Sequence, residues 1–392
     1  MFHPVRSDNN NNNEEDQEDE DAPDTVFTRL PSTFGQLANS LTALEIHGCH
    51  ELKQLPASFT QLTRLQRLCI SNCHKLRRMP AGWGNLPSSP HPLPSLRRLL
   101  ILKFPPLSSL PSGLHLPSLL HLDIRDCVKF TSLPPSPSPS PFPPTLQVLI
   151  LSHTLRDTGD MQQAISHLSS LQHVRIEHIP TLKTVPVLSS LETLSLYDLP
   201  LISPLSIPNI HTLQKLRILT LHTLPSLSPL PHSITALSHL QRLHLSCMEF
   251  FNLPEDLGQM QGLRVPTIDT APKLSTLPAS LTLLTSLQHL MVSDCDTFSS
   301  LPEAGFGNLA SLNSLTLNNL PLLLKLPAAV SHLASLQVLE VQECKTFSEP
   351  PEGLGSARSL RDVYLEGYSQ LEDLPEALLK QPGRIQVNVR ES

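Results

Sequence analysis

Residues 65–80 read LQRLCISNCHKLRRMP, a phrase in which Leu65, Leu68, Ile70, Cys73, Leu76 and Met79 recur at fixed offsets and Pro80 closes the run. Leu68 and Ile70 alternate with Arg67, Cys69 and Ser71. That period of two marks a short strand with one buried face. The opening phrase L-x-x-L-x-L, or a close variant, starts again at Leu41, Leu96, Leu119, Leu146, Leu171, Leu191, Leu216, Leu240, Leu263, Leu287, Leu312, Leu336 and Leu360. From Leu216 onward the steps are 24, 23, 24, 25, 24 and 24 residues. Self-similarity at such a period belongs to a solenoid.

The second half of each unit carries a Leu-Pro step, as in Leu55-Pro56, Leu277-Pro278 and Leu326-Pro327. Proline suits the first position of a helical turn, where its missing N–H costs nothing. Apolar residues then follow at three-residue steps (Phe59, Leu62, Leu65), the rhythm of a short 3₁₀ or α segment. Each unit is therefore a strand, a turn and a helical return. No unit can bury its leucines alone, and at roughly 1.5–3 kcal/mol per buried leucine, stacking neighbours offsets the ordering entropy. The expected fold is α/β: a leucine-rich-repeat solenoid with a curved parallel sheet on the concave face and short helical turns on the convex face.

Residues 26–392 read as one repeat domain of about 14 units behind an acidic tail, residues 1–25. Residues 26–40 look like a half-unit entering the stack, and RIQVNV near residue 390 like a last strand. Pro/Ser-rich inserts at 87–94 and 135–144 read as extended loops; residues 155–168 lack the Leu-Pro step and read as a more regular helix.

The formal charge of −7 is concentrated. Residues 1–24 hold nine acids against Arg6, a net −8, so the rest of the chain carries about +1. Low hydrophobicity and high charge density predict a disordered tail, and the near-neutral body offers no broad basic surface for nucleic acid. No run of 18 apolar residues appears, so no membrane span is expected. The opening residues lack a secretory core, the seven cysteines have no framework spacing and no Asn-x-Ser/Thr sequon occurs. Together these point to a reducing, intracellular location, cytoplasmic or nuclear.

The phrase L-x-x-L-x-L-x-x-C-x-x-L-x-x-L-P-x-x-L-x-x-L, carried by Leu41–Leu62, Leu65–Leu86, Leu287–Leu309 and Leu336–Leu354, resembles the C-terminal repeats of plant intracellular nucleotide-binding resistance proteins. Cysteine (Cys49, Cys73, Cys127, Cys295, Cys344) or an apolar residue stands where many repeat families place asparagine. No Gly is followed by Lys, so the phosphate-binding loop of those proteins is absent. The resemblance implies a stand-alone recognition array in intracellular signalling or defence. A substrate-recruiting subunit, or a secreted effector, of a ubiquitin-ligase system is the alternative.

Chemistry is sparse. His47, Cys49 and His50 stacked on Cys69, Cys73 and His74 invite a zinc reading, but the ninth position points inward and the tenth outward, so four ligands would not converge. We expect no metal and no cofactor. His121, His173, His222, His244 and His289 fall on outward strand positions among Arg125, Arg175 and Arg242, without a nucleophile–base–orienter pattern. A monomeric, non-catalytic protein-binding module is expected. Its candidate surface is Arg125, Arg175, Tyr197, His222, Arg242 and His244, followed by Asp269, Asp294, Glu340, Glu343, Asp362, Tyr364 and Glu366. Outward strand residues after Leu263 are read as six acids with no Lys or Arg, which suggests a partner with a basic surface. The five ninth-position cysteines are expected to be buried and Cys69 accessible.

Overall fold

Alternation of buried and outward residues gives each unit one five-residue strand, and the strands stack strictly in chain order. They are β1 (Ala43–His47), β2 (Arg67–Ser71), β3 (Arg98–Leu102), β4 (His121–Arg125), β5 (Val148–Ser152), β6 (His173–Glu177), β7 (Thr193–Tyr197), β8 (Ile218–His222), β9 (Arg242–Ser246), β10 (Val265–Asp269), β11 (His289–Ser293), β12 (Ser314–Asn318), β13 (Val338–Gln342), β14 (Asp362–Glu366) and β15 (Gln386–Arg390). The computed structural model describes residues 28–76, 93–105, 107, 116–130, 142–153, 165–185, 187–207, 209–348, 351, 353–354, 357–366 and 386–390. All 15 strands form a single parallel sheet, each pairing only with its sequence neighbours. The fold is a leucine-rich-repeat solenoid. The tail and most of both Pro/Ser-rich inserts and of 155–168 lie outside the described residues.

The second and fourth residues of β1–β14 point into one continuous apolar core. Pro266 is the exception in chemistry: it fills a buried strand position but has no N–H to give. The ladder from β10 to β11 accordingly matches only Thr267–Asp269, where other neighbouring strands match five residues.

Three findings refine the sequence reading of the unit. In five of the nine described 3₁₀ turns the proline of a Leu-Pro step sits one residue earlier than expected, at the cap. Pro56, Pro231, Pro278 and Pro327 have φ between −56° and −68° with ψ of 136–151°, and their carbonyls accept the N–H three residues on. Extended proline backbone holds that carbonyl in place, which the first helical position would not do.

Second, each described strand from β1 to β13 is followed by a residue with positive φ. Gly48 opens the row, and the other twelve, from Asn72 to Glu343, lie between 47° and 56°. That left-handed geometry is unfavourable for side chains other than Gly, Asn and Asp. A ladder bond offsets it, as where Asp126 N–H donates to Ser152 O at 2.9 Å and Thr270 N–H to Ser293 O at 3.0 Å.

Third, the ninth-position cysteines do replace asparagine. Cys73, Cys127, Cys295 and Cys344 are buried and donate Sγ–H to the carbonyl two residues back, at 3.1–3.4 Å. Burial raises the Cys127 thiol to about 12, and those of Cys295 and Cys344 to about 11. Cys49, in the first strand unit, is only partly covered.

Candidate functional site

With the core filled by the second and fourth strand residues, the first, third and fifth line the concave face in three rows. Neighbouring strands lie about 4.8 Å apart. The register places Arg125 in the fifth-residue row of β4, Arg175 in the middle row of β6, and Tyr197 and His222 in the fifth-residue row of β7 and β8. Arg242 and His244 occupy the first and middle rows of β9. Asp269 ends β10, Glu340 is central in β13, and Asp362, Tyr364 and Glu366 occupy the three rows of β14.

Asp294 and Glu343 are displaced from the expected face. They are the left-handed residues after β11 and β13, on the rim rather than in the sheet. The aspartate is held there by the Asn319 side-chain amide, which donates to Oδ1 at 2.7 Å. Glu366 and Arg390 are register partners on β14 and β15.

The β4–β8 stretch holds two polar groups, one on β4 and one on β6–β8, with Ile150 of β5 between them in the middle row. Arg125 donates Nε and one Nη to both carboxylate oxygens of Asp123, at 2.8 and 2.9 Å. Arg175 pairs with Glu177, and its guanidinium carbon lies 4.5 Å from the Tyr197 ring centre. Tyr197 in turn meets the His222 ring at 5.5 Å between centroids. Cation, aromatic ring and imidazole thus adjoin across three consecutive strands, the guanidinium lying over the tyrosine π face and the imidazole tilted against it.

Asp123 and Glu177 were not among the expected site residues, yet both are buried on this open face, Asp123 to 4% exposure. Its neighbours in the middle row are Leu100 on β3 and Ile150 on β5. Their cover drives the Asp123 carboxyl above the usual range, against the pull of Arg125. His121, beside it, is pushed down to about 4 by burial and then by Arg98, Arg125 and His173. Cys69 continues the same row and is 3% exposed between Glu45 and Leu100. The expectation that it would be accessible is corrected: it sits on the outward side, but a short side chain between longer neighbours is covered. The available signal was the apolar outward residues of the strands RLLIL and VLILS.

The β10–β14 stretch is built differently. Asp269 accepts hydrogen bonds from Ser246 at 2.9 Å and Ser293 at 2.8 Å, and Thr316 donates to Glu340 at 3.2 Å. None of Asp269, Asp294, Glu340, Glu343 and Asp362 meets a Lys or Arg within ion-pair distance among the described residues. Glu340 and Tyr364 are direct register partners.

On the rim of the central stretch, His153 and His178 stack at 4.0 Å, with Asp126 3.0 Å from the first and Asp198 2.7 Å from the second. His50 and His74 stack at 5.0 Å, as their matching positions in successive units require. No group of three or more His, Cys, Asp or Glu side chains among the described residues is arranged to hold a metal ion. No helix among them is long and apolar enough to cross a membrane.

Residues 202–343 match the family described as leucine-rich repeat region. The sequence finds no match among curated proteins. Among solved structures, a leucine-rich-repeat protein of Leptospira interrogans aligns with a TM-score of 0.52 and 20% identity, covering 90% of this chain and 97% of its own. At that identity the likeness bears on the fold alone. An internalin of Listeria monocytogenes aligns at 0.44 and 14% identity over 91% of this chain and 89% of its own. The leucine-rich repeat domain of the type III effector XopL aligns at 0.33 and 22% identity, over 43% of this chain and 74% of its own.

Proposed function

We propose that the chain is a non-catalytic recognition module that holds a protein partner on its concave face, within intracellular signalling or defence. One observation carries this reading: a 15-strand parallel sheet in unbroken chain order displays three outward rows that the apolar core does not use. Repeat stacking fixes the spacing of those rows before any partner arrives, so binding has little backbone entropy left to lose. Leucine-rich-repeat folds are used as protein-interaction scaffolds, and the adjoining Arg175, Tyr197 and His222 supply the aromatic and arginine groups that dominate interface energetics.

The test is affinity capture on the full chain with mass spectrometry, repeated with two variants. Proteins retained by the wild type should be lost with Arg175→Glu/Tyr197→Ala/His222→Ala on the concave face. They should be kept with Lys273→Glu/Lys325→Glu on the loops outside it. Equal loss from both variants would overturn the assignment to the concave face, and loss from neither would remove β6–β8 from it.

A further inference from the structure

Outward apolar residues are not spread evenly along the sheet. In the middle and fifth-residue rows, Cys69, Leu100, Leu102 and Ile150 all fall on β2, β3 and β5; among the described residues of the later strands Met291 is the one non-aromatic counterpart, beside Tyr197 and Tyr364. These side chains surround the Asp123–Arg125 pair on β4. A desolvated ion pair is a poor source of stability, since apolar side chains of similar size would serve folding as well or better. Here a pair with an apolar frame stands on the open face of a sheet whose core is elsewhere. That is the composition of an interface centre, where a few desolvated charged groups sit among apolar contacts.

The charges at the frame's edges indicate what fits. Arg98, at the start of β3, and Lys103, just after its end, are both exposed, and neither makes an ion pair among the described residues. The nearby acids are engaged: Glu45 with Arg67, Asp123 with Arg125, and Asp126 with His153. Along β3 the order is therefore cation, Leu100, Leu102, cation. Its outward residues are spaced by two positions, about 6.6 Å, the same interval as alternate side chains of an extended peptide.

We propose that the β2–β5 face binds an extended protein segment with two apolar side chains two positions apart, flanked at both ends by carboxylates. The apolar pair covers Leu100, Leu102 and Ile150, and the flanking acids reach Arg98 and Lys103. This rests on the concave-face reading and names the partner's chemistry. The chain's own acidic run, residues 14–21, is not such a segment, because it contains no apolar residue.

The experiment is panning of a random dodecapeptide display library on the full chain, followed by fluorescence anisotropy with the enriched peptides. Enriched sequences should carry the apolar pair with Asp or Glu at both ends. The Leu100→Ser/Ile150→Ser variant should weaken them about tenfold or more, as removal of interface-centre residues does. Arg98→Glu, which leaves every apolar side chain in place, should weaken them about threefold to fivefold and reduce their salt dependence. Met291→Ser should change nothing. An empty selection, a pool of basic or purely acidic peptides, or affinities unmoved by the β3 and β5 changes each overturn the proposal. Peptides lost instead on substitutions in β12–β14 defeat it while leaving the concave-face reading standing. Peptides indifferent to every outward substitution defeat both.

Discussion

Two stretches of one sheet, β2–β6 and β10–β14, share backbone geometry and register but treat their charged residues in opposite ways. In the first, Asp123 and Glu177 are buried and each is matched by an arginine two residues along its own strand. In the second, Asp269 and Glu340 are held by hydroxyl groups from neighbouring strands and meet no Lys or Arg at ion-pair distance among the described residues. Apolar outward neighbours make the difference. Leu100 and Ile150 remove water from Asp123, so that its charge needs a partner, whereas Ser246 and Ser293 leave Asp269 solvated enough to remain without one. The same residue type thus acts as an internal constraint in one stretch and as a long-range field in the other.

The strongest way to break this contrast is to remove one half of the buried pair. Arg125→Met leaves Asp123 desolvated and unpaired and should destabilise the fold by about 3–4 kcal/mol, whereas Asp123→Leu/Arg125→Met together should be close to neutral. Asp269→Asn in the other stretch should cost under about 1 kcal/mol, because its hydroxyl donors can turn to water. Urea midpoints of the three variants decide the matter. Equal costs for Arg125→Met and Asp269→Asn would mean that the two stretches do not differ in desolvation.

Titration sharpens it next. The imidazole of His121 stays neutral in the fold down to about pH 4, while an unfolded histidine takes up its proton near pH 6.5. A depressed folded-state pKa means stability that is whole above pH 6.5 and is lost as the pH falls from there toward 4. For this partly exposed ring the loss should be about 2 kcal/mol. The stability of the His121→Gln variant should be flatter by that amount across the window. An unchanged slope would place His121 in water and remove it from the desolvated stretch.

Much of this was legible in the residues, and what was not has physical causes. The repeat, the parallel sheet and the inward cysteines follow from spacing, because one buried position per offset suffices to reveal the period. The row of left-handed residues could have been suspected from Asn72, Asp126, Asp198, Asp294 and Asn319, all types that tolerate positive φ. Thr223, Thr270 and Glu343 conceal it, since a ladder bond overrides their preference. Placing Asp294 and Glu343 in the sheet followed from missing that turn. Cys69 was misjudged because outward direction is set by period but cover is set by the neighbouring strands, 24 and 31 residues away in the chain. Thiol labelling of the folded protein separates the two: Cys49 and Cys247, both only partly covered, should react first, and Cys69 as slowly as Cys127. Labelling of Cys69 at the rate of Cys247 would open the apolar frame on β2–β5.

The smallest expected effect tests the acidic stretch, where charges act without burial. Glu340 and Tyr364 face each other across β13 and β14, with Asp362 beside them in the first row and Glu343 on the rim. Exposed charges of one sign raise association rates and confer salt sensitivity more than they deepen affinity. An octalysine peptide is a suitable probe, since it matches the field and carries no apolar group for the β2–β5 face. Replacing Glu340, Glu343 and Asp362 by lysine should slow its association about tenfold at low salt and flatten the salt dependence. The urea midpoint should stay where it is, because these side chains support no packing. Tyr364→Ala should leave association alone and speed dissociation, by about 1 kcal/mol if the ring stacks on a lysine ammonium. If the triple reversal leaves the rate and its salt slope where they were, the acids of β10–β14 are a solvated face without a ligand, and recognition belongs to the first half of the sheet.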